Sequence, residues 1–149
     1  MTKTKHADPS SKAPKRTSRR LSIETILGQA QKQVMQRETL KIEAADIKSW
    51  ATHFSASEIE RLVIPKRTLA RRTSKSEPLS PEETDKALRL ARIGAEADRV
   101  FGDHQKASRW LRKPNPALSG QAPLELLATE IGALAVDELL GQIDHGMFV

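Results

Sequence analysis

Six basic side chains, Arg61, Lys66, Arg67, Arg71, Arg72 and Lys75, fall within fifteen residues that contain no Asp or Glu. Arg presents a planar fork that can meet a guanine edge with two hydrogen bonds, and both Arg and Lys can meet phosphate, so the run has the chemistry of nucleic-acid binding. A solvated basic helix face would have the same composition. Nothing comparable points to catalysis. His6, His53, His104 and His145 are too scattered to form a local metal-ligand pair. The absence of Cys excludes disulfides and thiolate metal sites, and neither a Gly-x-Ser-x-Gly elbow nor a phosphate-cradling glycine loop occurs. His104 beside Asp103 reads as helix-start chemistry rather than a dyad. No enzyme activity, metal or cofactor is expected. The last residues, Ile143-Asp-His-Gly-Met-Phe-Val149, end in three apolar side chains that no helix period absorbs. They could enter a groove of another protein, with Gly146 allowing a sharp turn and Phe148 as the anchor, or fold back on their own core.

The elements that would position these groups are helical throughout. Ser55-Ala-Ser-Glu58 has the spacing of a capping box, and Pro65 suits the first position of a following helix, giving helix, tight turn, helix. In a helix-turn-helix the start of the second helix faces DNA, which makes Lys66, Arg67, Thr68, Arg71, Arg72 and Lys75 the candidate contacts and turns Leu69 inward. Two apolar stripes precede this unit: Leu21, Ile23, Ile26, Leu27, Ala30 and Val34 with Ser22 as cap, then Ile42, Ala45, Ile47, Trp50, Ala51 and Phe54. After a polar break at residues 74–79, Ser80-Pro-Glu-Glu83 opens the longest helix. Its face of Ala87, Leu88, Ala91, Ala95 and Val100 should pack on the helix of Trp110, with Leu90, Ile93 and Ala97 widening the buried side. Asp103 caps that next helix, Pro114 stops it, and Pro116 and Gly120 shape a turn. A helix starts at Pro123, and a final one runs from about Thr129 to Leu140, with Gly141 placed to end it. Phe101, Trp110, Leu111 and Leu124 read as core. The fold class is all-α.

Charge divides the chain further. Of 25 basic and 19 acidic residues, the first twenty hold seven basic and one acidic, leaving 18 of each sign in the remainder. Residues 1–20 also have almost nothing to bury and read as a disordered basic tail that could add phosphate contacts. From Pro114 to Val149 there is no Lys or Arg but five acidic residues, so the middle and the end of the chain suggest different partners. No apolar run approaches the ~20 residues that span a bilayer, nor is there the apolar core of a signal peptide. A soluble cytoplasmic protein is expected.

The string from Val100 to Glu130 carries a resemblance. Phe101-Gly-Asp103, Trp110-Leu111, Pro114-Asn-Pro-Ala-Leu118, Gly120, Pro123-Leu-Glu-Leu-Leu127 and Thr129-Glu130 occur in the order seen in the MbcA/ParS/Xre antitoxin family. The chain resembles that family closely over residues 79–149 and loosely over 40–78. The resemblance implies a helix-turn-helix domain over residues 21–78 and a toxin-binding domain over 79–149. It implies a partner with a RES domain, an enzyme that attacks NAD or ADP-ribosylates, whose nucleotide cleft the antitoxin's C-terminal region plugs. On this reading Asp144, His145, Gly146, Met147, Phe148 and Val149 contact toxin. Operator DNA is the second partner, and a homodimer or a larger hetero-oligomer with toxin is expected. The alternative is a stand-alone helix-turn-helix regulator whose C-terminal domain serves dimerisation. An RNA-binding role would rest on the tail alone, since five aromatics leave few stacking platforms.

Overall fold

The computed structural model describes residues 21–36 and 40–147. The proposed tail at 1–20, the Val34 side chain, Phe148 and Val149 lie outside the described residues. The architecture is all-α, with eight helices among the described residues: α1 (Ile23–Gln36), α2 (Ala44–Ile47), α3 (Ala56–Leu62), α4 (Lys66–Ser74), α5 (Pro81–Phe101), α6 (His104–Arg112), α7 (Pro123–Leu126) and α8 (Glu130–Asp144). Two 3-10 turns, Lys48–Thr52 and Pro116–Leu118, join α2 to α3 and α6 to α7. No strand forms among the described residues, where a single isolated bridge pairs Glu43 with Pro78.

Local chemistry sets most helix starts. The Ser55 hydroxyl accepts from Glu58 N–H at 3.3 Å while the Glu58 carboxylate accepts from Ser55 N–H at 2.8 Å. Ser80 and Glu83 repeat the arrangement at 3.2 and 2.7 Å. In both, a side chain satisfies a backbone donor that the first helical turn leaves unpaired. Pro65 lies one position earlier than expected, as the extended cap before α4 rather than its first residue. Gly102, at φ +61°, ends α5 in the left-handed region, and Asp103 then caps α6 by accepting from Lys106 N–H at 2.7 Å.

The end of α8 differs from expectation. The helix runs through Gly141 and stops in a Schellman turn, where Gly146 at φ +70° donates to Ile143 O and Met147 N–H donates to Gln142 O. One interior glycine costs only about 1 kcal/mol, and Ile143 in the cleft of Phe101 and Trp110, with Asp144 paired to Arg99, favours continuing the helix.

One apolar cluster runs through the described molecule. Ile26, Ile47, Trp50, Phe54 and Ile64 contribute from the first half, and Leu90, Ile93, Val136 and Leu140 from the second. Helix α5 is its spine, packed by α1, α3, α6 and α8. Because it is covered on so many sides, Thr84, Ala87, Leu90, Ala91, Ile93, Gly94 and Ala97 are its buried residues, while Leu88, Ala95 and Val100, expected on its packing face, lie at the margins. Ala51, placed in the second stripe, is exposed, since a 3-10 turn replaces the regular helix there and changes the period.

Candidate functional site

Helix α4 follows the three-residue turn Val63-Ile64-Pro65 and has no fully buried side chain of its own. Leu69 alone in α4 packs against the core, partly buried, so the helix rides on the outside of the domain. Lys66, Arg67 and Lys75 are exposed and Thr68 is half-buried. Arg71 is half-exposed but reaches Glu77 at 3.1 Å. Arg72 points the other way: it lies 3.1 Å from Glu83 and donates to Pro78 O, with its side chain 20% exposed. The basic run is therefore two sets of residues, with an open start of α4 and an Arg72 that fastens α4 to the start of α5.

The C-terminal acids are arranged differently. Glu130, Asp137 and Asp144, seven residues apart, form a line along α8. Arg89 of α5 lies 2.8 Å from Glu130, Arg92 2.9 Å from Asp137, and Arg99 2.9 Å from Asp144. The pairs follow the same order along both helices, so α5 and α8 run in the same sense. Asp144, a candidate toxin contact, thus already holds an ion pair. Its hydrogen bond from Arg99 keeps its carboxyl below the usual range, and the same guanidinium lowers Glu96. The expected acidic surface is largely neutralised in this way, leaving Glu125 and Glu138 exposed with no ion pair among the described residues.

What α8 does expose is apolar. Ile131 is 83% and Leu134 54% exposed, one helical turn apart, while Ala133, Val136 and Leu140 on the opposite side are buried. Met147 is 57% exposed, and His145 and Gly146 are exposed beside it. Phe101 and Trp110 are only partly buried, unlike Leu111 and Leu124. Their rings lie 5.5 Å apart and, with Leu139, Ile143 and Met147, line a cleft of about 310 Å³. Ile131 and Leu134 were not singled out by sequence reasoning. Their signal was available: three apolar sides on a helix that can bury only two. The start of α8 is set by contact with α7, where a Cβ at Gly132 would come within 2.0 Å of Leu126 O. Ala122 provides no side-chain cap for α7, whereas Thr129 caps α8 by accepting from Gly132 N–H at 3.1 Å.

A polar seam joins the two halves. Arg112 of α6 donates to both carboxylate oxygens of Glu58 at 2.7 Å and to His53 O at 3.1 Å. Burial works to raise the Glu58 carboxyl, but Arg112 and Ser55 outweigh it and hold the group below its ordinary value. One carboxylate thereby caps the first helix of the helix-turn-helix and ties it to α6. His104 does not engage Asp103; its imidazole meets Asp98 of α5 instead.

A family model described as the antitoxin Xre-like helix-turn-helix domain matches residues 35–92, and one described as the antitoxin Xre/MbcA/ParS C-terminal toxin-binding domain matches residues 96–146. An antitoxin Xre of Pseudomonas putida is 44% identical over 84 residues, which cover 56% of this chain and 53% of that protein. The chain thus matches about half the length of that relative. An antitoxin Xre of Yersinia enterocolitica is 37% identical over 66% of this chain and 68% of its own length. A Prs ADP-ribosylating antitoxin of Sphingobium sp. is 30% identical over 72% of this chain and 75% of its own. Among the described residues no helix is long and apolar enough to cross a membrane. With both domains matched in order and the cap, turn and close-approach residues in place to form them, the chain belongs to the Xre/MbcA/ParS antitoxin family.

Proposed function

We propose that this chain is the antitoxin of a type II pair that blocks a RES-domain toxin with its C-terminal domain and represses its own operon through α4, acting in the cytoplasm by occupancy rather than catalysis. The observation that carries the reading is the presence of two unlike exposed surfaces on one continuous core: a basic helix start and an apolar α8 face that ends at Met147. Lys66, Arg67, Thr68, Arg71 and Lys75 meet the operator, whereas Arg72 holds α4 in place. On the other side, His145, Gly146, Met147, Phe148 and Val149 enter the toxin's nucleotide cleft, Asp144 braces their helix through Arg99, and Ile131 and Leu134 supply apolar contact. The name of the Sphingobium relative supports a toxin with ADP-ribosyl chemistry.

Coupling between the two functions runs through Arg112 and Glu58, which connect α6 to α3. A groove of about 1060 Å³, in which Leu27, Ala30, exposed Met35 and Leu88 form an apolar floor rimmed by Lys32, Asp85, Arg89, Arg92 and Glu130, supports assembly of copies into a homodimer or a larger complex with toxin. Removing residues 146–149 tests the plug. The shortened chain is expected to leave the toxin's NAD consumption largely uninhibited, and full inhibition would reject this placement.

A further inference from the structure

At the seam between the two halves three metal-ligating side chains converge from distant parts of the sequence. His53 follows the Lys48–Thr52 turn, Asp98 lies in the last turns of α5, and His104 opens α6. Their ligand atoms all lie within 4.8 Å of one another. His104 Nδ1 is 3.0 and 3.1 Å from the two Asp98 oxygens, and His53 Nδ1 is 3.6 Å from Asp98 Oδ2. The two imidazoles meet nearly edge to face, with centroids 4.4 Å apart and planes at 76°.

The hydrogen-bond accounting of His104 is unusual. Its Nδ1 faces a carboxylate, and its Nε2 lies 3.2 Å from Thr52 O. Both neighbours are acceptors. A neutral imidazole has one N–H and can satisfy only one of them; with Nε2–H on the Thr52 carbonyl, Nδ1 is left to a second proton or to a cation shared with Asp98. A metal-bound imidazole commonly has this arrangement, one nitrogen on the ion and the other N–H donating to a backbone carbonyl.

We propose that His53, Asp98 and His104 bind a divalent transition metal of the zinc class. With Zn–N and Zn–O bonds of about 2.1 Å, ligand atoms on a tetrahedral ion lie roughly 3.4 Å apart, between the His104–Asp98 and His53–Asp98 separations of 3.0 and 3.6 Å. Two imidazoles and one carboxylate suit zinc, cobalt or nickel rather than calcium or magnesium, which favour oxygen ligands throughout. Three protein ligands leave a fourth position for water. Because His53 belongs to the segment leading into α3, whereas Asp98 and His104 flank the α5–α6 turn, the ion would brace the helix-turn-helix against the C-terminal domain beside the Glu58–Arg112 pair.

The test is calorimetric titration of zinc chloride into untagged, chelator-stripped full-length protein, with thermal unfolding in parallel. One saturable site is expected, weakened at least about tenfold in Asp98→Asn and His104→Gln and unchanged in His6→Gln/His145→Gln. A free zinc concentration about a hundredfold above Kd should raise the unfolding midpoint by several degrees. His53→Gln separates binding from folding: it leaves the His104–Asp98 contact in place, so the metal-free midpoint should hold while the zinc-induced rise disappears. Imidazole nitrogen NMR of the loaded protein should show His104 retaining its Nε2 proton. Absence of saturable zinc binding, or binding that survives both His104→Gln and Asp98→Asn, would overturn the proposal.

Discussion

Helices α4 and α8 carry their charge in opposite ways. Helix α4 leaves Lys66 and Arg67 open and uses Arg72 to fasten itself to the start of α5, with Leu69 as its partly buried apolar attachment. Helix α8 places Glu130, Asp137 and Asp144 against three arginines of α5 and exposes Ile131 and Leu134 instead. Charge counted along one element is thus a poor guide to the surface that element presents. What matters is whether another helix supplies the opposite charge at a matching repeat. On this basis α4 is an edge helix with an open basic start, and α8 is a core helix whose outer face is apolar.

The contrast in burial should appear first and most strongly in stability. Leu140→Ala, at a fully buried position of α8, should cost about 2–5 kcal/mol in denaturant unfolding, whereas Leu69→Ala in α4 should cost distinctly less. Equal losses would remove the distinction between a core helix and an edge helix. Next in size is Gly132→Ala. The added methyl meets Leu126 O, so α7 and α8 must separate, at about 1–3 kcal/mol in the same measurement.

The two sets of basic residues in α4 should separate by readout. Arg72→Ala leaves Glu83 without its guanidinium partner and should lower stability by about 1–2 kcal/mol. Lys66→Ala/Arg67→Ala should leave the unfolding midpoint nearly unchanged while reducing the salt slope of operator binding by roughly 2, one unit for each lost phosphate contact. Loss of DNA affinity in the Arg72 variant alone would reverse these roles.

The smallest effect is in acid. Asp144 and Glu96 have carboxyls lowered by Arg99, so the unfolded chain binds protons more readily than the folded one. Their contribution is present above the unfolded carboxylate range near pH 4 and is lost as pH falls through the lower folded values. Arg99→Ala should therefore flatten the decline in stability below about pH 4.5. An unchanged acid profile would show that the α5–α8 ion pairs do not shape the titration.

The parts of the fold that depend on neighbours in sequence were legible from it. Ser55 with Glu58, Ser80 with Glu83, and Asp103 before α6 are caps whose partners lie three residues away, and each is present. The end of α8 was not readable from Gly141 alone, because Ile143 in the Phe101–Trp110 cleft and the Asp144–Arg99 pair hold the helix beyond it. The Arg99–Asp144, Arg112–Glu58 and His53–Asp98–His104 contacts join residues 45 or more positions apart or depend on such a junction. A one-dimensional reading therefore saw scattered histidines and an acidic end where folding produces a cluster and a neutralised seam. Phe101 and Trp110 read as core because they are large and apolar, yet they border a cleft whose other wall comes from α8 and Met147.

We propose that toxin and operator are held by separate surfaces, which is tested most directly by titrating the proposed RES-domain toxin into Ile131→Ser/Leu134→Ser. Both side chains are exposed, so the variant should fold with wild-type stability. Toxin affinity should fall at least about tenfold while the operator gel-shift at fixed salt remains that of the wild type. Wild-type toxin affinity in this variant would contradict the assignment of the α8 face.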